Sequence, residues 1–538
     1  MKTQRKNAAW QWLGAAGLLG AAVLFGAPAS AAILYVTPDD GPEIIESAQA
    51  GDTVEIAPGT YQYRVYLNNA GTPENPIVIR AADPLNRPVW DLVGDEDHRV
   101  STWPGTYNAG DRGRGAWQAG PNAAWVEVSG IVFRNCRDSS SAGFRAINSG
   151  PVLLRDCLFE HNTNGLTGTS EHLQVEFCEF RHNGQVWEGG AMTHNIYIYG
   201  GRFTMRYSFS HDSHEGQLFH LRSVQTLLAY NWFARPSSYV GDLMTCNYLC
   251  GGDPYEQYMT LMGNVILQGA PLNASQLLVL YHDEADPPSA MHLNLYHNTI
   301  IGTPREAGRT HALVNMRNDS VATHVTIRNN LIYQVGSATR QESPATDNWT
   351  VTGANNWAST GANTDGLSAT TWGDDPGFRG PVQGDFRLAD DSPARGLAVS
   401  STATLPAQEY YRDEDFAMHY RQRTAANDLG AFEWGTAGTV YGPYGPLSPG
   451  DDTDVPGDDT DAPGADTDAP GDDTDVPGAD TDAPGDDTDV PGADADVPGD
   501  DTDDDGDEGN ASGDGCGCQV GSAPRGVTLL RLLLGGWG

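Results

Sequence analysis

Apolar residues recur at fixed offsets from one column of residues that repeats through the middle of the chain. The column consists of Cys136, Cys157, Cys178, Tyr207, Asn231, Asn264, Asn298 and Asn330. Seven of the eight residues three positions before the column are apolar, and so are seven of the eight residues two positions after it. Alternate residues of a strand face one side, so the change of parity requires a bend near the column. The pattern predicts short strands that are joined by bends in a repeating unit.

Repeats of short strands with few helical segments are typical of a β-solenoid, in which each coil stacks on the next. The column intervals of 21, 21, 29, 24, 33, 34 and 32 residues indicate loops inserted into the repeat. Like residues on adjacent coils lie about 4.8 Å apart, so column asparagines can hydrogen-bond along the stack. The three column cysteines are expected to form an inward-facing stack of small apolar side chains.

Four further segments carry a family resemblance. They are IIESAQAGDTVEIAPGTY at 44–61, NPIVIRAAD at 75–83, and the closing segments DDPGFRGPVQGDFRLADDSPARG at 374–396 and DLGAFEW at 428–434. The chain resembles the pectin-lyase-like superfamily, and its opening is similar to that of chondroitinase-B-like and alginate-lyase-like members. The resemblance implies an all-β, right-handed parallel β-helix of roughly ten or more coils, with a capping helix at about residues 42–49. Its members include lyases, hydrolases, epimerases and proteins without enzymatic activity, so it leaves the activity open.

The chain divides by composition into four regions. Residues 1–31 join a basic start to an apolar run and a small-residue cleavage site, which predicts a secretory signal peptide. Residues 32–445 form the predicted β-helix domain, 446–515 a stalk, and 516–538 a terminal tag. Export permits disulfides, so Cys246 and Cys250 are expected to pair locally.

The stalk holds most of the charge imbalance. The formal net charge is −40, and residues 451–514 contain 26 acidic and no basic residues. A seven-residue Asp-rich unit ending in Pro-Gly repeats seven times from Asp451, which predicts an extended, disordered segment. The acidic balance argues against nucleic-acid binding, because phosphate recognition needs clustered cations. The final segment resembles the myxobacterial C-terminal sorting tag, so membrane attachment is expected only through that tag.

Histidine marks the candidate chemistry, since twelve of the fourteen histidines lie between His161 and His324. His161, His182 and His211 each follow the column by four residues, which predicts stacking on consecutive coils. The densest group lies in THNIYIYGG at 193–201 and SHDSHEGQLFHLRS at 210–223. The predicted site comprises catalytic His194, His211, His214 and Arg222, substrate-binding Trp187, Tyr197, Trp232 and Arg317, and calcium ligands Asp212 and Glu215.

Three reactions on a polysaccharide remain open. Chondroitinase-B-like lyases use a lysine base with calcium, but Lys2 and Lys6 are the only lysines and both lie in the signal peptide. A lyase of this kind would need a histidine base with arginine or calcium at the substrate carboxylate. Glycoside hydrolysis requires flanking carboxylates, and the Asp-rich polygalacturonase motifs are absent. The segment 212–215 is faintly similar to the mannuronan epimerase core, but Phe209 stands where a tyrosine is expected.

The sequence therefore predicts an exported, monomeric β-helix protein that acts on an extracellular polysaccharide, with β-elimination of a uronate-containing glycan as the leading reaction. The alternative is a non-catalytic cell-surface protein that binds glycans or has a structural role. An acidic β-helix without lysine must recognise an acidic polymer through arginine, protonated histidine or calcium.

Overall fold

The computed structural model describes residues 31–93, 115–137, 141–185, 192–252, 254–269, 276–282, 288–303, 311–317, 321–342, 348–399, 406–411 and 418–447. The chain divides into two units, Met1–Val455 and Pro456–Gly538, and every described residue belongs to the first. The predicted signal peptide (apart from Ala31), the stalk (apart from Pro446 and Leu447) and the terminal tag lie outside the described residues.

The described chain is a right-handed parallel β-helix whose coils contribute strands to one 20-stranded and one 12-stranded parallel sheet. The larger sheet bends into two parts, which we call sheet 1 and sheet 2, and the smaller one is sheet 3. Sheet 1 contains Val65–Leu67, Gly115–Ala119, Ala142–Ser149, Asn164–Glu176, Ile196–Arg206, Phe219–Leu221, Gly241–Met244, Gln276–Tyr281, Ala312–Arg317 and Ser337–Gln341. Sheet 2 contains Ile33–Val36, Thr53–Ile56, Ile77–Ala81, Val126–Ser129, Val152–Arg155, the two long strands Asn164–Glu176 and Ile196–Arg206 again, Gln225–Ala229, Glu256–Met262, Ala290–Tyr296, Ala322–Arg328 and Trp349–Ala354. Sheet 3 contains Thr60–Tyr61, Val89–Asp91, Val132–Arg134, Leu158–Glu160, Glu179–Arg181, Phe209–His211, Trp232–Ala234, Val265–Leu267, Thr299–Ile301, Leu331–Tyr333, Trp357–Ser359 and Thr371–Gly373. The fold predicted from the sequence is confirmed.

The corner between sheets 2 and 3 is held by a ladder of buried asparagines. The backbone N–H of Asn231 donates to Oδ1 of Asn264 at 2.9 Å, and Asn264 donates to Asn298 at 3.0 Å. The ladder continues from Asn298 to Asn330 at 2.9 Å. The residue before each ladder asparagine has a left-handed backbone conformation, as at Tyr230 with φ of 58°. This conformation turns the chain sharply into the corner. Each asparagine thus supplies the hydrogen bonds that the bend removes from the sheets.

The predicted column is wrong at two positions. Cys136 lies at the next corner of its coil, after sheet 3, where its N–H donates to Oδ1 of Asn162. The stack of three cysteines is therefore reduced to Cys157 and Cys178, although Cys136 is also buried. At the fourth position the ladder residue is Ser208, which accepts a hydrogen bond from the Cys178 N–H at 3.0 Å. Tyr207 is the left-handed residue before it, with φ of 51°.

Separate elements cover the N-terminal end and one face of the solenoid. The helix Glu43–Ser47 confirms the predicted cap, and Ile45 packs into the core. On sheet 3, the outward side chains from Phe209 to Trp357 pack against residues of the C-terminal segment. That segment comprises Phe378–Gly380, the 3₁₀ helix Pro381–Gln383, Asp385–Leu388, Gln408–Tyr411, His419–Gln422, Val440–Gly442 and Gly445–Pro446. The outer face of sheet 3 is therefore partly buried.

Two smaller findings complete the fold. Cys246 and Cys250 form the predicted local disulfide. In the part of the chain that the structure describes, no helix has both the length and the apolar character needed to cross a membrane.

The ladder makes a stability prediction for two asparagines that lie on one coil. Asn298 is fully buried and its side chain bonds Leu261 O and Asn330, whereas Asn294 faces outward from the same coil. Asn298→Ala should lower the free energy of unfolding by about 2–4 kcal/mol, because it leaves several buried polar groups without partners. Urea denaturation measures this effect. Asn294→Ala is the control, and an equal loss in both variants would contradict the role of the ladder.

Candidate functional site

The outer face of sheet 1 brings together polar side chains from consecutive coils. Tyr197 pairs with His220 in the sheet, and His220 pairs with Asp242. Ile196 and Ile198 on either side of Tyr197 belong to the buried core. Because strand residues alternate between faces, the row Tyr197–His220–Asp242 points away from the core.

His220 is oriented by a carboxylate. Its Nδ1 lies 3.1 Å from Oδ2 of Asp242, and the other Asp242 oxygen accepts a hydrogen bond from the Tyr239 hydroxyl at 2.8 Å. The side chains of His220 and Asp242 are only 13% and 8% exposed, so water competes little for these bonds. Burial and then the Asp242 charge raise the pKa of Tyr239, while the nearby charge of Arg317 partly offsets them. Tyr239 therefore remains a hydrogen-bond donor to Asp242.

This arrangement prepares His220 to accept a proton. When Nδ1 donates to a carboxylate, the neutral ring carries its lone pair on Nε2. The Nε2 atom is buried and has no hydrogen-bond partner in the described parts of the chain. A histidine with one nitrogen oriented by a carboxylate and the other unpaired has the hydrogen-bonding pattern of a general base, and contact with a substrate requires the groups that enclose Nε2 to move.

His194 packs directly against His220. Their rings are stacked with centroids 5.0 Å apart, and Nδ1 of His194 accepts a hydrogen bond from the Gln217 N–H at 3.2 Å. Burial first, and then the neighbouring His220 charge, hold the pKa of His194 well below its usual value. His194 is therefore neutral at pH 7, and it supports the His220 ring without adding positive charge.

The other two predicted catalytic residues beside this strand do not converge. His214 is exposed and lies in the loop that leads into Phe219–Leu221. Arg222 follows the opposite end of that strand, where it is buried and its Nε donates to the carbonyl of Thr245 at 3.1 Å. The structure thus separates His214 from Arg222, although the sequence analysis placed them in one site.

His211 belongs to a different face of the solenoid. Its neighbour Ser210 is buried, so His211 points outward from sheet 3. Its Nδ1 lies 2.5 Å from Asp212 and its Nε2 lies 3.0 Å from Glu179. The paired strands align His211 with Arg181, so the predicted stacking of His211 on His182 is wrong. His161 and His182 do stack, with centroids 5.2 Å apart.

The predicted calcium ligands do not fit a calcium ion. Asp212 is held at 2.5 Å by Arg235 as well as by His211. Partial burial favours a higher pKa for Asp212, but the hydrogen bonds from His211 and Arg235 outweigh it and keep that pKa low. Among the described residues, no group of three or more His, Cys, Asp or Glu side chains is placed to hold a metal, so Asp212 and Glu215 are not joined by a third such ligand.

The predicted substrate-binding residues fall into four different settings. Tyr197 contacts His220 edge to face, with ring centroids 4.5 Å apart. Arg317 is 37% exposed and forms an ion pair with Glu342 at 2.7 Å. Trp232 is only 2% exposed because Tyr410 and other C-terminal residues cover it, so its predicted role as a sugar platform is wrong. Trp187 lies outside the described residues.

No role was predicted from the sequence for His220, Asp242 or Tyr239. A signal was present, because His220 and Asp242 are 22 residues apart. That interval is close to the 23 residues between Ser208 and Asn231 on the corrected ladder. Residues one coil apart are neighbours in a solenoid, so the interval predicts a contact.

No family model and no curated protein matches this chain. Among solved structures, a pectate lyase is 14% identical with a TM-score of 0.46, covering 75% of this chain and 96% of its own. A rhamnogalacturonan lyase is 15% identical with a TM-score of 0.40, covering 76% and 97%. An alginate lyase from Paenibacillus sp. is 11% identical with a TM-score of 0.37, covering 63% and 99%.

The different settings of His211 and His214 predict different effects on stability. His211→Ala should lower the urea midpoint of unfolding, because it leaves Glu179 and Asp212 without a shared partner and opens space beside Phe209. The exposed His214→Ala should change the midpoint little. Parallel urea titrations followed by circular dichroism measure both, and equal midpoints for the two variants would contradict the structural role of His211.

Proposed function

We propose that this protein is a polysaccharide lyase whose reaction takes place on the outer face of sheet 1. The observation that carries the proposal is His220, which Asp242 orients through Nδ1 while its Nε2 is left without a partner in the described residues. β-Elimination of a uronate-containing glycan requires a base at the carbon next to the carboxylate, and an oriented neutral imidazole supplies one.

The proposed reaction transfers the proton on that carbon to Nε2 of His220. The electron pair released from the carbon–hydrogen bond forms a carbon–carbon double bond, and the bond to the glycosidic oxygen breaks. The leaving oxygen takes a proton, for which Tyr197 is our proposed donor because its ring lies against His220. Asp242 stabilises the imidazolium that forms, and its orientation is kept by Tyr239. His220 then returns its proton to water and Tyr197 takes a proton from water, which restores both side chains.

The carboxylates of the glycan need positive partners, and we propose Arg317 for one of them, on the third strand of sheet 1 from His220. Its guanidinium is partly exposed and near enough to Tyr239 to affect the pKa of that phenol. Arg222 is buried and bonded to the backbone, so we assign it a positioning role at the end of the His220 strand. No lysine follows Lys6 in the sequence, which leaves arginine as the side chain for permanent positive charge.

Hydrolysis is a weaker proposal for the same site. Glycosidases place two carboxyl groups on either side of the scissile bond. Beside His220, Asp242 is the carboxylate within bonding distance among the described residues, and both of its oxygens are already engaged. Epimerisation would share the first proton transfer with elimination, so the product distinguishes these two reactions.

We also propose that the protein acts outside the cell. Residues 1–31 have the composition of a secretory signal, and the Asp-rich repeat at 451–499 would serve as a spacer. The terminal segment 516–538 would attach that spacer to the cell surface, or the protein would be released.

The test is a panel of alginate, pectate and glycosaminoglycans, followed by the ultraviolet absorbance of unsaturated uronate ends. We expect wild-type protein to produce this absorbance with one of these glycans. His220→Ala and Asp242→Asn should each reduce the rate by roughly 10²- to 10⁴-fold, which is the contribution expected of general base catalysis.

The matched control is His292→Ala, since His292 is a partly exposed histidine on sheet 2. This variant should keep the wild-type rate. Unchanged activity in His220→Ala would exclude His220 as the base. If wild-type protein binds a glycan of the panel but releases no unsaturated ends, the non-catalytic glycan-binding alternative is favoured instead.

A further inference from the structure

A strip of three tyrosine rings leads from His220 to the protein surface. Tyr197 contacts both His220 and Tyr199, in each case with ring centroids 4.5 Å apart. The Tyr199 ring lies 6.5 Å from that of Tyr248, and its hydroxyl accepts a hydrogen bond from Thr167 at 3.0 Å. Tyr248 ends the strip and is 55% exposed. The rings run along the strand direction, so the strip extends from the candidate base His220 towards the ends of the sheet 1 strands.

The loop that carries Tyr248 is fixed to the neighbouring strand by its backbone. The Asn247 N–H donates to the carbonyl of Tyr199 at 3.1 Å, and the Gly201 N–H donates to the carbonyl of Tyr248 at 2.9 Å. The disulfide between Cys246 and Cys250 closes this loop on both sides of Tyr248. Tyr248 is therefore exposed on a segment that is held in place by the fold.

Two glycines make this close approach possible. A Cβ atom at Gly200 would lie 1.7 Å from the carbonyl oxygen of Tyr248, which no side chain could tolerate. Gly201 has φ of 71°, a left-handed conformation that glycine adopts without strain. The pair in the segment IYIYGG thus provides the space into which the Tyr248 loop fits.

An exposed aromatic ring on a fixed loop has the properties of a binding platform. Tyrosine offers a large apolar face and a polar hydroxyl, and it loses little conformational entropy when a ligand covers it. The carbon–hydrogen faces of a pyranose are apolar, so a sugar ring can cover such a face while its hydroxyl groups stay in water. Because the loop is held in advance, binding does not have to order it.

We infer that Tyr248 is a sugar-stacking subsite and that the glycan lies across sheet 1, from His220 along the tyrosine strip. The inference rests on the proposed function only in placing a glycan on this face. It adds that recognition continues several sugar units from the cleaved bond, and it assigns the subsite to Tyr248, which was not predicted from the sequence. Cleavage is not required for Tyr248 to bind.

The experiment measures migration in native gels that contain alginate, polygalacturonate or chondroitin sulfate. Tyr248→Ala should reduce the retardation. The apparent dissociation constant of the glycan that binds wild-type protein should rise by roughly 3- to 10-fold, the range expected for one aromatic contact. Tyr248→Phe keeps the ring and should bind as wild type does. Tyr35→Ala removes a tyrosine that is 66% exposed on sheet 2, and it should have no effect.

A second measurement uses the unmodified protein and so does not depend on the folding of a variant. Nitration by tetranitromethane, followed by mass spectrometry, should be slowed by the bound glycan at Tyr248 and not at Tyr35. Equal nitration of Tyr248 with and without glycan would overturn the inference, as would full binding by Tyr248→Ala or no binding of any of the three glycans by wild-type protein. His220→Ala separates the two proposals, because it should lose cleavage and keep Tyr248-dependent binding.

Discussion

The stacking of one coil on the next is the constraint on which the rest of this structure depends. Each coil must turn at the same place, and the corner between sheets 2 and 3 achieves this with a left-handed residue followed by a buried ladder side chain. The side-chain oxygens of Asn231, Asn264 and Asn298 each accept a hydrogen bond from the backbone N–H of the ladder residue one coil earlier. The register of each coil therefore depends on its neighbours. The ladder therefore determines which side chains of neighbouring coils lie next to each other.

The same register creates the candidate site. His220 and Asp242 are 22 residues apart in the chain, yet their strands pair directly and their side chains meet on one face. Different faces have different uses. The C-terminal segment covers much of sheet 3, the ion network around His211 occupies an adjoining part of that sheet, and sheet 1 presents the His220 dyad with the tyrosine strip beside it. Chemistry and recognition are thus proposed for one face of the three.

The repeat could be predicted because Asn231, Asn264, Asn298 and Asn330 fall at one structural position, and the apolar residues around them keep their offsets. The same reasoning failed at Cys136, because both corners of a coil follow short alternating strands and so produce the same local pattern. It failed by one residue at Tyr207, since inserted loops change the coil length. Because of that one-residue shift, the predicted register placed His211 in a turn, whereas it lies in a strand. A one-residue error in register reverses the face to which a side chain points.

The candidate site was only partly predictable for a related reason. Density of histidine in the sequence identified the coils of the proposed site, including His194, but it could not distinguish outward residues of sheet 1 from those of sheet 3. Trp232 was expected at the surface because the C-terminal segment that covers it comes about 180 residues later in the chain, as with Tyr410. Contacts between distant segments of this kind have no local signal in the sequence.

The most direct test of the central claim is a crystal structure of His220→Ala with a bound oligosaccharide of the glycan that the wild-type protein cleaves. The account predicts a sugar on the outer face of sheet 1, with its acidic carbon–hydrogen bond directed at the space vacated by the His220 ring and near Asp242. An oligosaccharide bound on another face, or on sheet 1 with that carbon directed away from the vacated space, would contradict it.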